Sequence, residues 1–204
     1  MARHVLAGAF KKSADEGGTI VAADEVGFLM NPCLKATWAP AGQTPVVPYR
    51  NRHHKKVSAL GAITLRPATG AMDLLIDWYP GSYVRGAEAA TFVQRLLKHV
   101  PGDGPVDLVW DNLQAHKSPL VKQIATDHPR LRIHYLPPYA PDLNPVEPLW
   151  SMTKYHGMAN HAIDNLAELE ATARRHVARV AGDPTLLAAC FKAAGLAVSL
   201  SSAQ

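Results

Sequence analysis

The segment from Tyr135 to Lys154, Y-L-P-P-Y-A-P-D-L-N-P-V-E-P-L-W-S-M-T-K, leaves the backbone few choices. Proline fixes its own φ and biases the preceding residue away from the α region. Pro137, Pro138, Pro141 and Pro145 therefore hold a stiff, extended connector between an expected strand and an expected helix. Such a connector suits a chain that must deliver one side chain to a fixed place, and here that side chain is Glu147. Two more acids stand where buried strands are expected to end. Asp24 follows Thr19-Ile-Val-Ala-Ala, and Asp111 follows Val106-Asp-Leu-Val-Trp. The expectation is that Asp24, Asp111 and Glu147 converge on divalent metal.

The rest of the chain supplies the sheet. Residues 1–16 form a short, partly basic lead-in that reads as the end of a helix and is broken by Gly17-Gly18. Thr19 to Ala23 is a small-apolar run typical of a strand buried on both faces. Val57 to Leu65 and Ala71 to Trp78 read as a hairpin across Arg66-Pro-Ala-Thr-Gly70. Ala87 to Val100 has helical spacing, Val106 to Trp110 is a strand, and Ser118-Pro119 is a cap and first position for a helix reaching Asp127. Leu131 to Leu136 is a fifth strand. The helix after the connector carries Val146, Leu149, Trp150 and Thr153 on one side and ends near His156-Gly157. Asn165 and Glu168 open another helix, and Asp183-Pro184 a last one. The order β-β-β-α-β-α-β-α-α-α predicts an α/β chain with a mixed sheet and helices on its faces. A hydrophobic content of 48% against 19% charged residues is enough for a sizeable core.

Three carboxylates from two strand ends and one helix suit a hard cation. Mg²⁺ takes oxygen ligands, keeps several waters, and is commonly held by one or two carboxylates together with substrate phosphate. Two such ions, about 3.5–4 Å apart, stabilise the attacking and leaving oxygens of an in-line displacement at phosphorus. Each acid also has a local reading. Asp24 is a loop acid, Asp111 begins an Asx-type turn with Asn112, and Glu147 is the third helical residue of a capping box opened by Asn144. Asn112 and His116, in W-D-N-L-Q-A-H-K-S, either orient water and phosphate or cap the Ser118 helix. The densest basic run, Arg50-Asn-Arg-His-His-Lys-Lys56, reads beside such a centre as a phosphate-contacting loop through Arg50, Arg52, Lys55 and Lys56. Lys154, seven residues past Glu147, lies on the same helix face and within reach of a phosphate. Trp38 and Trp150 read as core or loop anchors. The net charge of +4 is compatible with a polyanionic partner. Cys33 and Cys190 have no zinc spacing and read as reduced thiols of a cytosolic protein. No apolar run reaches membrane-spanning length, and no nucleotide-binding glycine motif occurs.

Four segments carry a resemblance: I-V-A-A-D-E-V-G-F, T-W-A-P-A-G-Q-T-P, W-D-N-L-Q-A-H-K-S and Y-L-P-P-Y-A-P-D-L-N-P-V-E-P-L-W. Together they resemble the catalytic domain of IS630-type insertion-sequence transposases, in the Tc1/mariner superfamily. The 35 residues between Asp111 and Glu147 (147 − 111 − 1) fit the spacing of this DDE family. The resemblance implies a ribonuclease-H-like, mixed five-stranded sheet in the order 3-2-1-4-5 with helices on both faces. It implies residues 17–160 as the catalytic domain, 161–204 as a helical extension of it, and Asp24, Asp111 and Glu147 as catalytic metal ligands, with Asn112, His116 and Asn144 in support. The implied chemistry is Mg²⁺- or Mn²⁺-dependent cleavage of DNA at transposon ends, with two ions, followed by strand transfer to a target, usually TA. The implied partners are double-stranded DNA and a second copy of the chain, in a bacterial cytoplasm at the nucleoid. Family members normally begin with helix-turn-helix modules. Residues 1–16 leave no room for one, so the DNA-recognition part is expected to be separately encoded or lost. Two alternatives stay open: a related nuclease without strand transfer, and a DNA-binding remnant whose acids no longer work together.

Overall fold

The computed structural model describes residues 2–47, 55–138 and 140–196, with side chains from Gly8 onward. Five strands form one sheet in the order β3-β2-β1-β4-β5. They are β1 (Thr19–Leu29), β2 (Lys56–Arg66), β3 (Ala71–Pro80), β4 (Val106–Trp110) and β5 (Leu131–Tyr135). β1, β2 and β3 pair antiparallel, whereas β4 runs parallel to both β1 and β5. The order and the mixed character are those expected of a ribonuclease-H-like chain. The hairpin between β2 and β3 turns on Gly70, at φ 68°, whose N–H donates to the Arg66 carbonyl at 2.8 Å. Left-handed backbone of this kind strains any residue with a Cβ.

Among the described residues, six α-helices flank the sheet: α1 (Ala2–Asp15), α2 (Gly86–His99), α3 (Pro119–Asp127), α4 (Glu147–Met152), α5 (Leu166–Ala181) and α6 (Pro184–Ala193). The expected lead-in is thus a helix through Asp15, and it packs against β1 and β4. α4 runs on into a π turn, Thr153–Gly157. Alternation along β1 divides the core in two. Ile20, Ala22, Val26 and Phe28 face α4, α5 and α6, meeting Leu149, Trp150, Leu169 and Phe191. Val21 and Ala23 face the opposite layer, where Phe92 and Leu96 of α2 and Val121 and Ile124 of α3 are buried. Each such large side chain contributes about 1.5–3 kcal/mol by leaving water. Helices therefore cover both faces, as expected.

Three expectations are corrected. β1 does not stop at Ala23: it continues to Leu29, because its antiparallel pairing with β2 runs on through Asp24↔Gly61 to Leu29↔Lys56. Its parallel pairing with β4 does stop, at Ala22↔Val109, so β1 and β4 part company immediately before Asp24. The capping box at Asn144 and Glu147 is not formed. Glu147 is the first residue of α4, Pro148 sits at the tolerated second position, and the cap residue Val146 makes no side-chain cap. Trp38, expected as an anchor, is 100% exposed in an irregular segment.

Candidate active site

The parting of β1 from β4 opens a cavity of about 420 Å³, walled on its far side by the proline connector. Asp24, Asp111 and Glu147 all line it. This is the crevice beyond the carboxyl ends of parallel strands, where α/β sheets place their ligands. Asp24 is buried, and its Oδ2 accepts a hydrogen bond from the Trp150 indole at 3.0 Å. The indole has space because Gly61, the cross-strand partner of Asp24, has no side chain: a Cβ there would stand 2.7 Å from the Trp150 ring. The connector is moored from its other end. Asn144, also buried, donates to the Ala23 carbonyl at 3.0 Å and accepts from the Val146 N–H at 3.2 Å. The residue expected to open a capping box therefore ties Glu147's approach to β1, one residue before Asp24.

Asp111 leaves β4 in the Asx-type turn expected of it, with Oδ1 accepting from the Leu113 N–H at 3.2 Å. A one-turn 3₁₀ helix, Gln114–Lys117, follows and presents His116. His116 is 0% exposed. Its ring stacks on Trp110, with centroids 3.7 Å apart and planes 16° off parallel. Nδ1 lies 2.5 Å from Asp111 Oδ1, and Nε2 lies 2.7 Å from Glu25 Oε1. Nδ1 also lies 3.3 Å from the Asp111 carbonyl, and with both carboxylates ionised every partner accepts, so the ring then donates from both nitrogens as an imidazolium.

The electrostatics follow from crowding like charges in a half-closed space. Burial raises the Asp24 carboxyl well above its usual range, and repulsion from Glu147 adds to this; the Glu25 N–H lowers it, and Asp111 and Glu25 raise it further. Burial also raises Glu147, Lys154 draws it back, and Asp111 and Asp142 push it up. Burial alone would depress His116, but its bonds to Asp111 and Glu25, together with their charges, outweigh that and lift it to about 9. All three groups hold their protons more tightly when folded than when unfolded. The stability they contribute is full below their unfolded values and is lost as pH rises through the folded ones. For His116 that window runs from 6.5 to about 9. The metal-free protein is therefore expected to melt at progressively lower temperature across this range, by scanning calorimetry in chelator. A flat or rising trend would contradict the protonated His116.

Among the described residues, no three histidine, cysteine, aspartate or glutamate side chains are grouped tightly enough to enclose an ion as they stand. The donor set nonetheless fits Mg²⁺ or Mn²⁺: all-oxygen, crowded with negative charge, and on one cavity wide enough for waters and phosphate. Of the supporting residues, Asn112 is exposed at the cavity rim and Asn144 forms part of its wall. Lys154 is half-buried and close enough to Glu147 to affect it electrostatically. Lys56 is turned aside, its Nζ 3.8 Å above the Tyr83 ring, and Lys55 is exposed beside it. Arg50 and Arg52 lie outside the described residues. The acid pair Asp24-Glu25 reads in sequence as the solvated end of a strand; the partnership of Glu25 with His116, the room left by Gly61 and the polar role of Trp150 escaped the sequence reading.

Residues 19–170 match the family model of the DDE superfamily endonucleases. The chain belongs to this family. The uncharacterized 39 kDa protein of insertion element IS630 from Shigella sonnei is 26% identical over 163 residues, 79% of this chain and 45% of that protein. The chain thus spans less than half the length of that relative. Among solved structures, a pre-cleavage Mos1 transpososome superposes with a TM-score of 0.59 at 18% identity, over 97% of this chain and 62% of that one. The mariner Mos1 paired-end complex with Mg gives 0.54 at 20% identity, over 96% and 61%. The shared fold is the five-stranded ribonuclease-H-like one of DDE catalytic domains. Among the described residues, no helix is long and apolar enough to cross a membrane.

Proposed function

We propose that this chain is the catalytic domain of a DDE transposase that cleaves DNA phosphodiesters at transposon ends and joins them to target DNA. The observation that carries the reading is the meeting of Asp24, Asp111 and Glu147 on one cavity at the parting of β1 and β4. These three residues would hold Mg²⁺ or Mn²⁺, as two ions. Bound there, the ions would neutralise charge on the attacking and leaving oxygens of an in-line displacement. The chain's own groups prepare the place. Trp150 sets the rotation of the Asp24 carboxylate, Asn144 fixes the connector that brings Glu147, and Lys154 offsets part of the charge beside it. Asn112 at the rim is suited to contact a phosphate oxygen or a water. In the first step water attacks phosphorus and the 3′-hydroxyl leaves with a proton. In the second that hydroxyl attacks a target phosphodiester, and the target strand's own oxygen departs.

Double-stranded DNA, with TA as the target, is the substrate in this reading, and Lys55, Lys56 and Lys154, with Arg50 and Arg52, are its phosphate contacts. Two transposon ends require two copies of the chain, and end recognition is assigned to a separately supplied helix-turn-helix segment. The setting is the bacterial cytoplasm, at the nucleoid. The test is nicking of supercoiled plasmid with Mg²⁺ or Mn²⁺, beside Asp111→Ala and a chelator control, followed by joining of a pre-cut end. Nicking that vanishes in the variant and in chelator, with joined product, is expected. Nicking without joining would make the chain a nuclease, and no nicking under either metal would make it a half-enzyme awaiting its recognition segment or a remnant.

A further inference from the structure

The acid pair Asp24-Glu25 sits on one strand, where consecutive side chains point to opposite faces. Asp24 serves the face of α4 and opens on the cavity. Glu25 serves the face of Trp110 and meets His116. We propose that Glu25 is a positioning residue for Asp111, acting through the His116 ring to fix which oxygen of that carboxylate is presented to the divalent cation. The inference rests on the reading of Asp111 as a metal ligand.

The geometry is a relay that spans 91 positions of sequence through one hydrogen bond and one ion-pair contact. Glu25 Oε1 holds Nε2 at 2.7 Å, and Nδ1 holds Asp111 Oδ1 at 2.5 Å. Trp110 stacks on the ring, and the Tyr135 hydroxyl anchors the backbone beneath it by donating to the His116 carbonyl at 3.0 Å. Two donors, the ring and the Leu113 N–H, converge on Oδ1 of Asp111. Among the described residues no donor is recorded on Oδ2, which leaves that oxygen for the cation. Without Glu25, Nε2 loses its acceptor, the ring's grip on Asp111 loosens, and only the Leu113 N–H still holds Oδ1. Partners that orient a metal ligand from behind typically change affinity or activity about 10–100-fold when removed.

The closing experiment is a double-mutant cycle of Glu25→Gln and His116→Gln on the intact chain, read by Mn²⁺ affinity from electron paramagnetic resonance of free ion, and by melting in chelator. Glu25→Gln keeps size but removes the carboxylate charge that holds Nε2, and is expected to weaken Mn²⁺ about 10-fold or more, measured well below its melting temperature. The double variant is expected to lose no more affinity than His116→Gln alone, because both changes cut the same relay. Affinity within twofold of wild type in Glu25→Gln would overturn the inference, and so would losses that add, which would make Glu25 a ligand in its own right. Asp111→Ala is measured alongside. If it abolishes Mn²⁺ binding while Glu25→Gln stays within twofold of wild type, only the relay falls; if wild type binds no Mn²⁺, the metal-centre reading falls with it.

Discussion

Asp24→Asn is expected to abolish metal-dependent nicking, by more than about 10³-fold, the scale seen when a group central to a chemical step is removed. The same change is expected to raise the melting temperature of the metal-free protein. The two outcomes share a cause. The carboxylate is 7% exposed, and burial together with Glu147 and Asp111 opposes its charge. A folded-state pKa above the unfolded value means that ionised Asp24 destabilises the fold at neutral pH. Asparagine keeps an oxygen for the Trp150 indole and brings no charge. The gain is on the order of 1–2 kcal/mol, or about 2–8 °C for a chain of this size. Calorimetry in chelator at pH 7.5, beside the plasmid assay, checks both. A variant that melts lower would show that repulsion among the acids is already relieved in the metal-free state.

Trp150→Ala carries the largest expected loss of stability. The ring is 2% exposed, meets Phe28 edge-on at 6.2 Å, and fills the space left by Gly61. Emptying it costs about 3–5 kcal/mol, and about 2–4 °C of melting temperature goes with each of those kcal/mol. Trp150→Phe separates the ring from its donor. It keeps most of the packing, so it is expected to melt nearer wild type, yet to nick more slowly because nothing then fixes Asp24 Oδ2. Thermal melts of both, with nicking rates, decide this. An alanine variant that melts within about 2 °C of wild type would refute the packing account.

Local signals exposed the element order. The apolar runs of β1, β2 and β4, the Pro and Gly breaks between them, and Ser118-Pro119 all act within a few residues, and the structure follows them. What was hidden is non-local. Asp24-Glu25 reads as the end of a buried run, whereas β2 pairs straight past it; only the strand's period of two shows that the acids serve different faces. Asn144 has the spacing of a cap, but its amide is taken by the Ala23 carbonyl, 121 residues away. Trp38 and Trp150 look alike in sequence, and one is bare while the other is interior. Gly61 gives no local sign of its purpose, since what it makes room for arrives from α4.

The three acids end at Glu147, but the unit that can hold them does not. Trp150, which grips Asp24, is roofed by the same apolar cluster that contains Leu169 and Ala173 of α5 and Cys190 and Phe191 of α6. The last two helices bring no acid to the cavity, yet they keep water from the ring that steers one. A fragment cut just behind Glu147 would retain all three acids and lose the surface they are mounted on. Heritable variation in α5 and α6 thus bears on the cavity from a distance, and the smallest inheritable piece that can shape it reaches beyond the acids themselves.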